Sequence, residues 1–513
     1  MHGQKRAEYK ARLLHPDTRT KLGSKAQQWN HLSEELLKQR RRLFSSPPPL
    51  SDIDTQGKAN EGDAAVAAPS PEVLLALTEK MLSVNPDPSH LWNIRREMLV
   101  YLIQTAPPSA INDTDDDQEG VDNDSSAKSS ILDIEVELKL TAHCLQRNPK
   151  SYSAWFHRKW ALVYYMNGST SQQEHWTNMK SILQSELELC VQFLQLDERN
   201  FHCWNFRRFV VGLLGSCGGS DVTTTSKNDG EVNNDDDEPT TMSAVDNFSG
   251  SWSAWMHQIE EEDKEVWMGP QISQNACRAV GMSTGSKDGS SDAIKSTTPL
   301  SKRELEKIIM NEWDFSTAKI EDNFSNGSAF HYRSKLLPLV LEFRSSGDSA
   351  SSPSEAYEAI SLARDEWDAI MLDAIFTEPD DQTIWFYHRF IVTWAQRNMV
   401  VVDGADADAE VTEEFEGLLY DMVDSIQELI DVEKEDSFEG NTQDRHESKG
   451  AKCKWAYLGM HLVLSTLLEF KSEVDDEDKI ELRERAKECL DELMRIDPDR
   501  RERYQILESK LFR

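Results

Sequence analysis

The 513-residue chain has no stretch of about 18 apolar residues, so nothing in it predicts a membrane span. No run of alternating β-branched residues marks a strand, and periodicity is helical wherever it is visible. The seven cysteines are odd in number and widely scattered, which excludes a paired framework and fits a reducing compartment such as the cytoplasm. The opening Met1-His2-Gly3-Gln4-Lys5-Arg6 is polar and charged, with no signal-peptide core. HExxH, paired CxxC, an Asp/Cys/His set at metal spacing and GxxxxGK[ST] are all missing, so no metal site or phosphate loop is expected in this chain. Basic residues are few: 56 Lys and Arg against 91 Asp and Glu leave a formal charge of −35. That balance argues against nucleic acid as partner and is compatible with a basic protein.

Much of the acidity sits in low-complexity segments. Residues 105–130 and 403–414 are acidic, 433–450 polar, 45–70 rich in Pro, Ser and Ala, and 216–300 the longest insert. Such compositions bury too little apolar surface to fold, which predicts disordered inserts and linkers between helices. Trp252, Trp255 and Trp267 suggest local order inside the longest one.

What the chain does have is a repeat. Five times a helix-ending turn is followed by an aromatic residue and an arginine: Trp92/Arg95, Trp155/Arg158, Trp204/Arg207, Phe330/Arg333 and Trp385/Arg389. Amphipathic stretches precede the turns, as with Leu187, Cys190, Val191 and Leu194 at i, i+3, i+4 and i+7. Asn-Pro or Glu-Pro then stops the helix, since the residue before proline leaves the α region. Ser151, Asn200, Asn326 and Asp381 stand four residues ahead of the aromatic as N-caps of a second helix; in the first copy Pro88 holds that place, with Ser89 next. Spacings of three or four put aromatic and arginine on one helix face, where the indole fills volume and the guanidinium stacks or reaches an acid on the next repeat. These ten residues are therefore read as structural. The expected fold is all-α: one domain over 1–513, a right-handed superhelical solenoid of six or seven stacked α-hairpins forming a crescent.

The strings Asn148-Pro149-Lys150-Ser151-Tyr152…Trp155-Phe156-His157-Arg158 and Asp197-Glu198-Arg199-Asn200-Phe201-His202-Cys203-Trp204 resemble the repeats of protein prenyltransferase α subunits over most of the chain outside the inserts. Within that family, Met1-His2-Gly3, Asn323–Ser334 and Asp380–Arg389 are most similar to the type II, Rab-directed geranylgeranyl members, and Lys454-Trp455 with Ile496–Tyr504 resembles their terminal hairpin. Phe330 and Gly327 depart from the usual pattern, and no further module is legible. The resemblance implies a heterodimer in which this chain wraps a β subunit carrying the zinc ion and the lipid pocket, and is inactive alone. It implies transfer of geranylgeranyl from geranylgeranyl diphosphate to C-terminal cysteines of Rab GTPases brought by an escort protein. The alternatives are the α subunit shared by farnesyltransferase and type I geranylgeranyltransferase, and a non-catalytic helical-repeat scaffold.

Lys150 lies just ahead of the cap Ser151, so it projects from the positive end of a helix. Spacing alone reads it as an ordinary solvated surface lysine; the resemblance implies that it reaches the diphosphate. Tyr152 and His202, each beside a cap, are implied to approach the lipid diphosphate or the peptide, while Asn200 and Phe201 are read as cap and packing. His2, on the N-terminus, is a candidate ligand of the partner's zinc, with a plain disordered terminus as the alternative. Lys38–Arg42 places a basic cluster on a predicted helix, read as a solvated face, a contact with an acidic partner or a nuclear-localisation signal.

Overall fold

The computed structural model describes residues 15–45, 70–105, 133–167, 172–216, 302–345, 354–400, 409–439, 454–470 and 476–512. Among these residues the chain is helical and contains no strand. The helices are α1 (Pro16–Ser45), α2 (Pro71–Leu82), α3 (Ser89–Thr105), α4 (Ile134–Arg147), α5 (Tyr152–Asn167), α6 (Gln172–Leu196) and α7 (Phe201–Ser216). There follow α8 (Lys302–Glu321), α9 (Gly327–Ser345) and α10 (Glu355–Glu366), which runs through a π turn (Trp367–Met371) into α11 (Leu372–Thr377). Last come α12 (Gln382–Val400), α13 (Ala409–Glu439), α14 (Lys454–Phe470), α15 (Asp476–Ile496) and α16 (Arg501–Leu511). Helices α2/α3, α4/α5 and α8/α9 pack as hairpins, the repeating pair of the sequence pattern.

Two compact units are distinguishable. The first contains the described residues up to Leu187 and those of α7 from Asn205; the second contains Glu188–Trp204 and the described residues after 300. In the first, α3 packs on α5, one second helix on the next. In the second, α9 packs on α12, α12 on α14, and first helix α10 on α13. In both units second helices thus pack on second helices. The cores are built from the apolar stripes: Leu74 and Met81 of α2, Cys190 and Leu194 of α6, and Val411, Phe415 and Leu418 of α13 are buried.

Two expectations need correction. Acidic composition marked 403–414 and 433–450 as inserts, yet α13 begins at Ala409 and runs to Glu439. The apolar spacing Val411, Phe415, Leu418, Met422 buries one face of that helix and outweighs its surface charge. Arg40 of the basic cluster is not simply solvated. Its guanidinium donates two hydrogen bonds to Glu97, at 2.8 and 2.9 Å, and lies over Phe44. The rest of the linker and insert expectations, with Trp252, Trp255 and Trp267, lie outside the described residues.

Candidate functional site

The turns share one register. The aromatic residue follows the turn's first residue by seven: Asn85 and Trp92, Asn148 and Trp155, Asp197 and Trp204, Asn323 and Phe330, Glu378 and Trp385. Each indole N–H donates to the carbonyl six residues before it, Pro86, Pro149, Glu198 or Pro379, at 2.8–3.0 Å. Phe330 has no such donor. Asp497 and Tyr504 keep the spacing in the terminal pair, where the phenol donates to the Asp497 carboxylate at 2.9 Å. In each of these pairs but that of Phe330 the aromatic thus ties the second helix to its own turn.

The caps differ in detail. Asn200 accepts from the His202 and Cys203 N–H groups, Asn326 from Ala329 and Asp381 from Thr383. Ser151 holds the cap position, but its hydroxyl donates to the Pro86 carbonyl of the preceding turn, at 3.0 Å. Helix α3 starts at Ser89, with Pro88 in the cap position and its carbonyl accepting from Leu91.

Lys150 stands in the Asn148–Ser151 turn immediately before α5. Its N–H donates to Asn148 Oδ1 at 3.2 Å, and Asn148 donates to Asp87 of the preceding turn at 2.7 Å. The backbone that carries Lys150 is therefore held from two sides, and its side chain is exposed. Tyr152, the first residue of α5, is 65% exposed and stacks on Phe156 with ring centroids 6.2 Å apart. Lys150 and Tyr152 flank the same helix N-terminus in the first unit, whereas His202 belongs to the second. His202 is half-buried, its ring 3.9 Å from that of Phe201. Phe201 is not a packing residue. It is the register counterpart of Tyr152 and equally open, at 64%.

The arginines are buried. Arg95 donates to both Glu137 oxygens at 2.7 Å and to the Leu75 carbonyl. Arg158 repeats this with Glu186 at 2.5 and 2.6 Å and Leu138, and Arg333 with Glu366 at 2.7 and 2.6 Å and Trp313. Arg207 bonds the equivalent carbonyl, Leu187, at 3.2 Å. Each bidentate pair joins a second helix to the first helix of the following hairpin. Burial pushes Glu137 up, but the hydrogen bonds from His157 and Arg95 outweigh it and hold the carboxyl at about 2. Burial likewise brings His157 down to about 4, so a neutral imidazole donates from Nε2 to Glu137 at 2.9 Å.

The fifth copy breaks the rule, and Arg389 is not its repeat arginine. Position three after the aromatic is His388, fully buried, while Arg389 is exposed. The π turn accounts for part of the change. Tyr332 meets Glu312 twenty residues back, but Tyr387 meets Glu366 twenty-one back, because the turn adds one residue to the first helix. The glutamates themselves carried no visible signal: Glu137, Glu186 and Glu366 are single acids in an acidic chain.

A model of the protein prenyltransferase alpha subunit repeat matches residues 134–165, 183–214 and 309–339, the hairpins α4/α5, α6/α7 and α8/α9. Three hairpins of the chain thus match the prenyltransferase α-subunit repeat. The sequence is similar to the geranylgeranyl transferase type-2 subunit alpha of Rattus norvegicus (27% identity, over 64% of this chain and 35% of that protein). Similarity to the human protein of the same name is 28%, over 63% and 34%. The chain spans about a third of the length of these mammalian relatives. The Saccharomyces cerevisiae protein of that name is 23% identical over 94% of this chain and 97% of its own length.

The register aromatics Trp92, Trp155, Trp204, Phe330 and Trp385 and the arginines Arg95, Arg158, Arg207 and Arg333 are buried, whereas Lys150, Tyr152 and Phe201 at the turns are exposed. Among the described residues no group of three His, Cys, Asp or Glu side chains could hold a metal ion, and no helix is long and apolar enough to cross a membrane. His2 lies outside the described residues. A cation at the start of α5, beside the positive end of that helix, can stabilise an anion there.

Proposed function

We propose that this chain is the α subunit of a type II geranylgeranyl transferase, active as a heterodimer with a β subunit that carries the zinc ion. The heterodimer transfers geranylgeranyl from its diphosphate to C-terminal cysteines of Rab GTPases presented by an escort protein in the cytoplasm. The observation that carries this reading is the near full-length similarity to the yeast protein named as that subunit, together with an exposed lysine at the N-terminus of α5.

In the reaction the cysteine thiolate attacks C1 of the lipid; the S–C bond forms as the C–O bond breaks, and diphosphate leaves with the bonding pair. Zinc on the partner would supply a lowered thiol pKa. Lys150 meets the charge that accumulates on the leaving oxygens, and the α5 N-terminus adds its dipole. Tyr152 and His202 contact the diphosphate or the peptide, Tyr152 through its exposed phenol and His202 as a hydrogen-bond donor. His2 would hold the partner's zinc through a neutral imidazole.

Affinity isolation of the native protein, with mass spectrometry of stoichiometric partners and a prenyl-transfer assay of the recovered complex, tests this. A type II β subunit with an escort protein and geranylgeranyl transfer to a Rab supports it. A farnesyltransferase-type β subunit moves the substrate to other C-terminal motifs, and no β subunit leaves a repeat scaffold; either result overturns it.

A further inference from the structure

The segment that carries Lys150 is held by the hairpin before it. Polar side chains flank Lys150 two residues before it, one after and three after, and each donates to the preceding turn. Asn148 Nδ2 donates to Asp87 Oδ1 at 2.7 Å, Ser151 Oγ to the Pro86 carbonyl at 3.0 Å and Ser153 Oγ to the Asp87 carbonyl at 3.2 Å. The Asn148 side-chain oxygen meanwhile accepts from the Lys150 N–H at 3.2 Å. One asparagine therefore bridges the Asp87 carboxylate to the Lys150 backbone.

The accepting turn is itself fixed. Pro86 is buried, its ring restricts φ, and its carbonyl also takes the Trp92 indole N–H at 2.8 Å. Asn85 Oδ1 accepts from the Asp87 N–H at 3.2 Å, the same local turn that Asn148 makes with Lys150. Asp87 and Lys150 are thus register counterparts, an acid in one turn and a base in the next. Later turns also touch, Asn323 with Glu198 and Ser325 with Glu378 and Asp381. There the caps Asn326 and Asp381 accept from N–H groups of their own helices, whereas Ser151 donates to the neighbouring hairpin.

A lysine reaches its target on a flexible four-carbon stem, so the precision of its ammonium depends on where the backbone starts. We propose that Asp87 is a positioning residue for Lys150: through Asn148 it fixes the point from which the lysine extends toward the leaving diphosphate. This rests on Lys150 meeting the diphosphate, as proposed above. Asp87 acts through its neighbour and not on the reacting atoms.

The test is steady-state geranylgeranyl transfer by the heterodimer, with kcat and KM for geranylgeranyl diphosphate read separately. Asp87→Ala is expected to lower kcat about threefold to tenfold and to leave KM within about twofold, because a displaced cation is missed most where charge develops. Asp87→Asn keeps an oxygen that accepts from Asn148 and is expected to hold kcat within about twofold of the unaltered protein. With Lys150→Ala already present, Asp87→Ala is expected to cost nothing further, since a residue that acts through another has no effect once that other is gone. Ser325→Ala breaks a contact between later turns and is expected to leave kcat unchanged. Asp87 is exposed; should its variant still not fold, Asn148→Ala removes the same bridge from the other side and is expected to give the same loss. An unchanged kcat in Asp87→Ala, a loss that multiplies with that of Lys150→Ala, or an equal loss from Ser325→Ala overturns the positioning role and leaves the role of Lys150 intact. An unchanged kcat in Lys150→Ala overturns both.

Discussion

The buried carboxylate Glu137 makes a strong claim about what couples one hairpin to the next. It is 2% exposed and accepts from Arg95 Nε and Nη2, both at 2.7 Å, and from His157 Nε2 at 2.9 Å. Glu137→Gln keeps the shape but removes the charge, and its amide turns two donors toward groups that also donate. The Arg95 guanidinium then sits in the interior with no counter-ion, a situation that costs about 3–5 kcal/mol. Arg95→Leu/Glu137→Leu removes both charges together, so its cost is expected to fall well below the sum of the single variants. Native-state hydrogen exchange read by mass spectrometry reports the opening free energy helix by helix. Protection in α2 to α5 should fall by the full amount, while α8 to α12 keep theirs. Glu97→Gln serves as the reference, because its partner Arg40 is about a third exposed and such a pair contributes about 1 kcal/mol or less. If Glu137→Gln costs no more than Glu97→Gln, or if the two single Leu variants simply add, the buried pair is not what locks these hairpins.

Other consequences are equally direct. Arg333→Ala should destabilise the second unit by about 3 kcal/mol or more by stranding Glu366, whereas Arg389→Ala should change it by less than about 0.5 kcal/mol, as denaturant titration would show. A Cβ on Gly459 would lie 2.5 Å from Trp385 Cζ3 and 2.7 Å from Cε3, so Gly459→Ala should cost about 1–3 kcal/mol despite alanine's better helix propensity, visible as a lower melting temperature. Burial holds His388 at about 4, below the ordinary histidine value, so the unfolded chain binds the proton that the folded one refuses. Stability is then fully present above about pH 6.5 and is lost as pH falls toward 4, by up to about 3 kcal/mol, and His388→Gln should flatten that slope. In a reconstituted heterodimer, Lys150→Ala should lower turnover about tenfold to a hundredfold with the chain's melting temperature unchanged, since the side chain is exposed; an unchanged rate refutes its role at the diphosphate.

The hairpins were readable because their signals are local. A proline stops a helix wherever it falls, an Asn or Asp cap acts on the next three residues, and an apolar stripe declares its face by spacing alone. Trp92, Trp155, Trp204 and Trp385 belong to this class, since each bonds a carbonyl only six residues away. The glutamates do not. Glu137, Glu186 and Glu366 stand 42, 28 and 33 residues from the arginines they hold, distances that vary with loop length and leave no period to detect. The error at Arg389 has the same origin. Trp385 and Arg389 share a helix face at four residues as well as at three, so sequence spacing alone cannot choose between His388 and Arg389 for the buried place. The register shared by all the turns decides, since position three after the aromatic is buried in every copy; in the fifth it sets His388 against Trp367 of the π turn, with ring centroids 5.6 Å apart. The same substitution removes the bidentate donor that elsewhere passes to the following hairpin. It leaves a fully buried imidazole whose two nitrogens have no hydrogen-bond partner among the described residues. At the fifth copy the repeat therefore exchanges a buried ion pair for a buried neutral imidazole, and that exchange becomes legible only once the helices are packed.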